Sequence, residues 1–200
     1  MTREEALQHF QEKYVKIKSD EKIDELKKYY IKNKDELANG FIKSFKDICI
    51  KISNMQSAAE KDKIAYINYS ILRTNIMDRK YMHLVDAFNK YWYFDIQECS
   101  TEYDTSWAFD FLEEFEKELE EIRKLYMNKI SAPDIDKIKL KETKLYNQYI
   151  IDLAKYSMPE AIKLKEYKEI HKEDIVEIRV GEYRGSSELV YKEQRTMKNL

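Results

Sequence analysis

Only three of the 200 residues are glycine (Gly40, Gly181 and Gly185), and only two are proline (Pro133 and Pro159). Tight turns with a left-handed backbone lean on glycine, so this chain can make few of them. Sandwiches, propellers and doubly wound nucleotide folds are turn-rich and fit poorly. Three scattered glycines also cannot build GxxxxGK[ST] or GxGxxG, which excludes P-loop and Rossmann chemistry but leaves phosphate binding by side chains open.

Long helices are the natural product of such a chain. Thr2 and Glu5 form a capping-box pattern, followed by Leu7, Phe10 and Tyr14 at helical spacing. A second helix start is expected at Ser19 or Asp20, with Ile23, Leu26 and Tyr30 on one face, and a third at Asn33. Behind it Leu37, Phe41, Ile48, Ile52 and Met55 make one stripe, interrupted by Gly40, which is read as a close helix contact. Ser57 and Glu60 are placed to cap a fourth helix running through Ile64, Ile67 and Ile71. Further on, Ala108, Leu112, Phe115, Leu119, Ile122 and Tyr126 alternate steps of four and three. Pro133 suits the first turn of a last long helix that buries Ile135, Ile138, Leu145, Tyr149, Leu153 and Tyr156.

Two stretches read differently. Residues 81–88 and 91–96 are dense in strand-favouring side chains, with Asn89-Lys90 between them at hairpin length. Helical spacing of Tyr81, Leu84, Val85 and Phe88 is the rival reading, and the hairpin is preferred because helix formers vanish there. Residues 175–180 alternate apolar and charged, and a turn at 184–187 leads to a return strand at 189–191. A lone hairpin is marginal in water. The hairpins near 80–97 and 174–193 therefore either share one small antiparallel sheet or each pack on a helix layer. The expected fold class is α+β, predominantly α-helical, with about six helices and two β-hairpins. Length suits a single domain over 1–200, or two lobes at 1–78 and 79–195, with a frayed tail at 196–200.

Charge is unevenly spread. Residues 86–121 hold twelve acidic side chains against Lys90 and Lys117, a net −10 within a chain of net −2. Both tryptophans, Trp92 and Trp107, lie in the same window with eight other Phe and Tyr rings. Acids beside aromatics make either a cation-seeking surface or a core with a solvated outer face.

Catalytic motifs are missing. His9, His83 and His171 lack HExxH or CxxC spacing, so no metal site is expected, and no cofactor either. There is no GxSxG elbow, and Cys99 sits among acids that disfavour a thiolate. Asp86, Asp95, Glu98, Glu102, Asp104 and Asp110 offer carboxylates near aromatic walls, but surface carboxylates that keep a helix soluble explain them as simply. Basic stretches alternate with acids as solvated helix faces do, so nucleic acid is not an expected partner. No apolar run approaches the ~20 residues that span a bilayer, so no membrane partner is expected. Two cysteines do not make a disulfide framework, and the opening residues are charged rather than leader-like, so a cytoplasmic setting is expected.

Three functions survive. The first is a non-catalytic adaptor or inhibitor module of immunity-like type, engaging a basic protein partner through Trp92, Tyr93, Asp95, Glu98, Glu102, Tyr103, Asp104 and Trp107. The second is a homo-oligomer subunit with the aromatic hairpin as interface. The third is a hydrolytic enzyme with a carboxylate site near 86–110.

Overall fold

The computed structural model describes residues 1–194. The 196–200 tail lies outside the described residues. The fold is α+β and mostly helical, with a single mixed sheet of five strands. In chain order the elements are α1 (Arg3–Phe10), a π turn (Gln11–Val15), α2 (Lys16–Ser57), β1 (Ile64–Ile71), α3 (Arg73–Met77), β2 (Met82–Phe88), a 3-10 turn (Trp92–Phe94) and β3 (Ser100–Asp104). There follow α4 (Ser106–Arg123), a second 3-10 turn (Lys124–Tyr126), α5 (Ala132–Ala161), α6 (Lys165–Glu169), β4 (Lys172–Glu182) and β5 (Ser187–Gln194). No helix among the described residues is long and apolar enough to cross a membrane.

The expected capping box is present: Thr2 Oγ1 accepts from the Glu5 backbone N–H at 3.1 Å, and Glu5 Oε2 accepts from the Thr2 N–H at 2.7 Å. The helices expected to start at residues 19–20 and 33 are one continuous helix, α2. No proline falls within it, and Ser19 caps no helix start: it is buried and donates to Glu142 Oε2 at 2.5 Å, while Asp20 faces outward. Gly40 is not a close helix contact, since a Cβ built there meets nothing within 4 Å.

The expected fourth helix is instead the central strand β1. Ile64, Ile67 and Ile71 fit helical spacing, but Ile67, Tyr69 and Ile71 also alternate with Asn68 and Ser70, a short two-residue pattern that the isoleucine spacing masks. The first hairpin is also corrected. Its first strand is β2, but residues 91–96 are a 3-10 turn and loop, and the chain returns as β3. Aromatic strand propensity reflects fit to a half-buried surface, and Trp92 and Tyr93 satisfy it by lying on a sheet rather than in one.

Strand order is β3-β2-β1-β4-β5. The two strand pairs do share a sheet, and β1, parallel to β4 and antiparallel to β2, joins them and makes it mixed. In the last long helix Tyr146 and Ile150 are buried, while Leu145 and Tyr156 are exposed, a shift of the expected stripe.

The chain forms two compact units. The first (residues 1–33, 73–81 and 105–149) is helical. Phe10, Leu26, Phe109, Leu112, Phe115 and Tyr146 are fully buried in it. It also buries an ion pair, Lys139 Nζ to Glu116 Oε2 at 2.6 Å. The second unit (34–72, 82–104 and 150 onward) holds the sheet. Phe41, Phe45, Ile48 and Ile52 of α2 are fully buried there, with Phe41 stacked on Tyr69 of β1 at 4.8 Å.

Candidate functional site: an aromatic loop over a polar sheet face

The site lies in the second unit and follows from strand pleat. Tyr69 faces the α2 residues, so its neighbours Asn68 and Ser70 face the other way. Asn68 stands opposite Asp86 of β2 and Arg179 of β4, and Asp86 stands opposite Ser100 of β3. Directly opposed residues share a face, so a polar row crosses the sheet on the side away from Phe41.

The middle of that row is buried nonetheless: Asn68 is 2% and Asp86 9% exposed. Residues 89–97 cover it. Trp92 stacks on Tyr66 with centroids 4.2 Å apart, Tyr93 meets Phe88 edge-on at 5.2 Å, and Asn68 Nδ2 donates to the Tyr93 hydroxyl at 3.4 Å. Among the described residues, Asn68 Oδ1, Asp86 Oδ2 and Trp92 Nε1 have no hydrogen-bond partner. Burial pushes the Asp86 carboxyl up to about 6, helped by Glu98 and opposed by Lys61.

The covering loop is locked from beneath. Asp95 accepts from Lys61 Nζ at 2.7 Å, from the Asn89 N–H at 2.7 Å and from the Gln97 N–H at 2.9 Å. Lys61 also donates to the Gln97 carbonyl, and the Asp62 N–H donates to Gln97 Oε1 at 2.9 Å. Burial pushes the Asp95 carboxyl up, but Lys61 and the two N–H groups outweigh it and hold it below its ordinary value. Asn89 Oδ1 accepts from the Tyr91 N–H at 2.9 Å, an Asx turn that starts the loop. Trp92 then takes φ 53°, a left-handed value that costs a bulky residue about 1–3 kcal/mol and persists only where surroundings impose it.

Two features open outward from this base. Tyr91, Phe94 and Ile96 are 61%, 88% and 95% exposed. Beside them is a cleft of about 650 Å³, lined by Trp92, Tyr93 and Phe94 from the loop and by Arg179, Arg184 and Ser187 from β4, its turn and β5.

The residues expected to form the site scatter. Trp92 and Tyr93 line the cleft, and Asp95 is the internal lock. Glu98, Glu102 and Asp104 are exposed on or just before β3, an edge of the sheet. Tyr103 is turned inward, 5% exposed between Phe41 and Tyr69. Trp107 belongs to the first unit, stacked on Tyr30 at 6.0 Å. Sequence reasoning passed over Lys61, Asn68, Arg179 and Arg184. The alternation of residues 175–180 did place Arg179 on the outward face, but nothing local linked it to a loop eighty-odd residues earlier.

No group of three or more His, Cys, Asp or Glu among the described residues is placed to hold a metal ion. Burial raises both thiols, Cys49 to about 12. Comparison of the chain with protein-family models, with curated proteins and with solved structures finds no match.

Proposed function

We propose that this protein is a non-catalytic binding module whose 89–97 loop docks a basic protein partner. One observation carries the reading: three large apolar side chains within six residues stand in solvent on a loop held by a buried ion pair and a left-handed turn. Side chains that apolar normally find cover. A loop already rigid loses little entropy on binding, so exposed rings on it convert burial into affinity efficiently. Tyr91, Phe94 and Ile96 are the anchors in this reading. Glu98 and Glu102, exposed beside them without an ion pair among the described residues, supply a negative rim that favours positive charge in the partner.

The test is affinity isolation at low and high salt with three chains: unsubstituted, Phe94→Ser/Ile96→Ser, and Glu98→Lys/Glu102→Lys. A basic protein should be retained by the unsubstituted chain, and its purified form should bind the apolar double variant at least tenfold more weakly. The charge variant should bind more slowly and lose salt sensitivity. Equal retention by all three sinks the reading. Sedimentation addresses the homo-oligomer alternative: a dimer that the apolar double variant dissociates would make a second copy the occupant.

A further inference from the structure

We propose that the cleft between the Trp92–Phe94 turn and the β4–β5 turn binds a small aromatic anion, a planar ring bearing a carboxylate or phosphate. Its volume of about 650 Å³ falls within the range of small-ligand pockets. The two arginines that line it are in different states. Arg179 is spent: Nε donates to Ser187 Oγ at 3.0 Å, Nη1 to Glu177 at 2.9 Å and Nη2 to the Ser187 carbonyl at 3.1 Å. Arg184 is exposed and has no carboxylate in ion-pair range among the described residues. Its guanidinium nonetheless has a defined place, 5.8 Å from the Tyr93 centroid and 5.5 Å from that of Tyr183. These cation–π contacts hold the guanidinium near the rings while leaving its N–H donors for an anion, which suits bidentate capture of carboxylate or phosphate.

The ring of the ligand has its own counterpart. Phe94 lines the same cleft and is 88% exposed, so one open aromatic face lies beside one unpaired guanidinium. A neutral ring would use only the first and an inorganic anion only the second.

The experiment uses the full chain with Trp107→Phe, which leaves Trp92 as the only indole. Phenyl phosphate and phenylacetate are titrated while its emission is followed, with inorganic phosphate, acetate and benzyl alcohol as controls. At least one aromatic anion should saturate the signal at a concentration tenfold or more below any control, and which one does so identifies the preferred head group. Arg184→Gln should raise that concentration at least tenfold with an unchanged circular dichroism spectrum, and Arg184→Lys should fall between. Calorimetric titration of the unsubstituted chain gives the same reading if Trp107→Phe disturbs folding. No saturable response to either aromatic anion, equal response to the controls, or indifference to Arg184→Gln each overturns the proposal. Ile96→Ser lies outside the cleft lining and should leave ligand binding intact, which separates this site from the protein contact.

Discussion

Lys61 Nζ lies 2.7 Å from Asp95 Oδ2, with the two side chains 0% and 1% exposed. A buried pair of this kind adds little net stability over an apolar pair, but losing one partner is severe because the other charge stays in low dielectric. Here the pair also joins the start of β1 to the loop over the polar sheet face, so it fixes the geometry of the candidate site. Lys61→Met should destabilise the protein by about 3–5 kcal/mol in urea unfolding. Trp92 emission should shift to the red in the native state as the loop loosens. A variant with the original unfolding midpoint would show that the loop is held by its aromatic contacts instead.

Asp86 links stability to pH. Its folded pKa is raised to about 6 by burial, assisted by Glu98, against an unfolded value of about 3.9. Folding thus favours the protonated form. The contribution is fully present below pH ~4 and is lost as pH rises through about 6, a swing of about 3 kcal/mol. Asp86→Asn removes the charge and supplies an N–H group opposite Asn68, whose Oδ1 lacks a partner. The variant should match the original at pH 4 and exceed it by about 1–3 kcal/mol at pH 7.5. Urea midpoints at both values decide it, and an original chain that gains on the variant with rising pH contradicts the assignment.

Glu116 separates a buried from an exposed cation within the first unit. Lys139 reaches Oε2 at 2.6 Å with its side chain 1% exposed, and Arg79 reaches Oε1 at 3.2 Å with its side chain 50% exposed. Lys139→Met should cost about 3–5 kcal/mol, because Glu116 is left charged and buried. Arg79→Ala should cost no more than about 1 kcal/mol, because water already screens that pair. Comparable losses from the two would mean that Arg79 and Lys139 neutralise Glu116 alike, against the burial argument.

The glycines offer a paired test. At Gly181 an added Cβ would lie 2.3 Å from the Ser186 carbonyl oxygen and 2.4 Å from Ser187 Cα, both backbone atoms that cannot swing aside. Gly181→Ala should therefore cost about 1–3 kcal/mol and disturb the turn that carries Arg184. At Gly40, inside α2, the same Cβ meets nothing within 4 Å. Gly40→Ala should stabilise by about 0.5–1 kcal/mol by removing backbone freedom from the unfolded chain. Thermal unfolding of the two variants should move in opposite directions.

Much of the helical part was legible because it is local. The Thr2–Glu5 cap and the stripe of Ala108, Leu112, Phe115 and Leu119 depend on residues three or four apart, and the last four of these are buried as their spacing predicts. β4 was legible for the same reason, since its two-residue alternation lies within one half-buried strand. β1 was not. Its alternation is confined to residues 67–71, its polar face is buried rather than solvated, and its isoleucines imitate a helix.

What the sequence alone determined is therefore a helix-dominated α+β chain that lacks glycine phosphate loops and concentrates acid and aromatic residues in its middle. Tertiary structure decided which of those residues meet. It sent Tyr103 into a core, put Trp107 in another unit, buried Asp95 against Lys61 and brought Arg179 and Arg184 to Trp92 and Tyr93. Composition and spacing report only what neighbours along the chain can do. Which strand lies beside β1, and which face a loop then covers, is settled by burial summed over residues far apart in sequence, and no short window carries that sum.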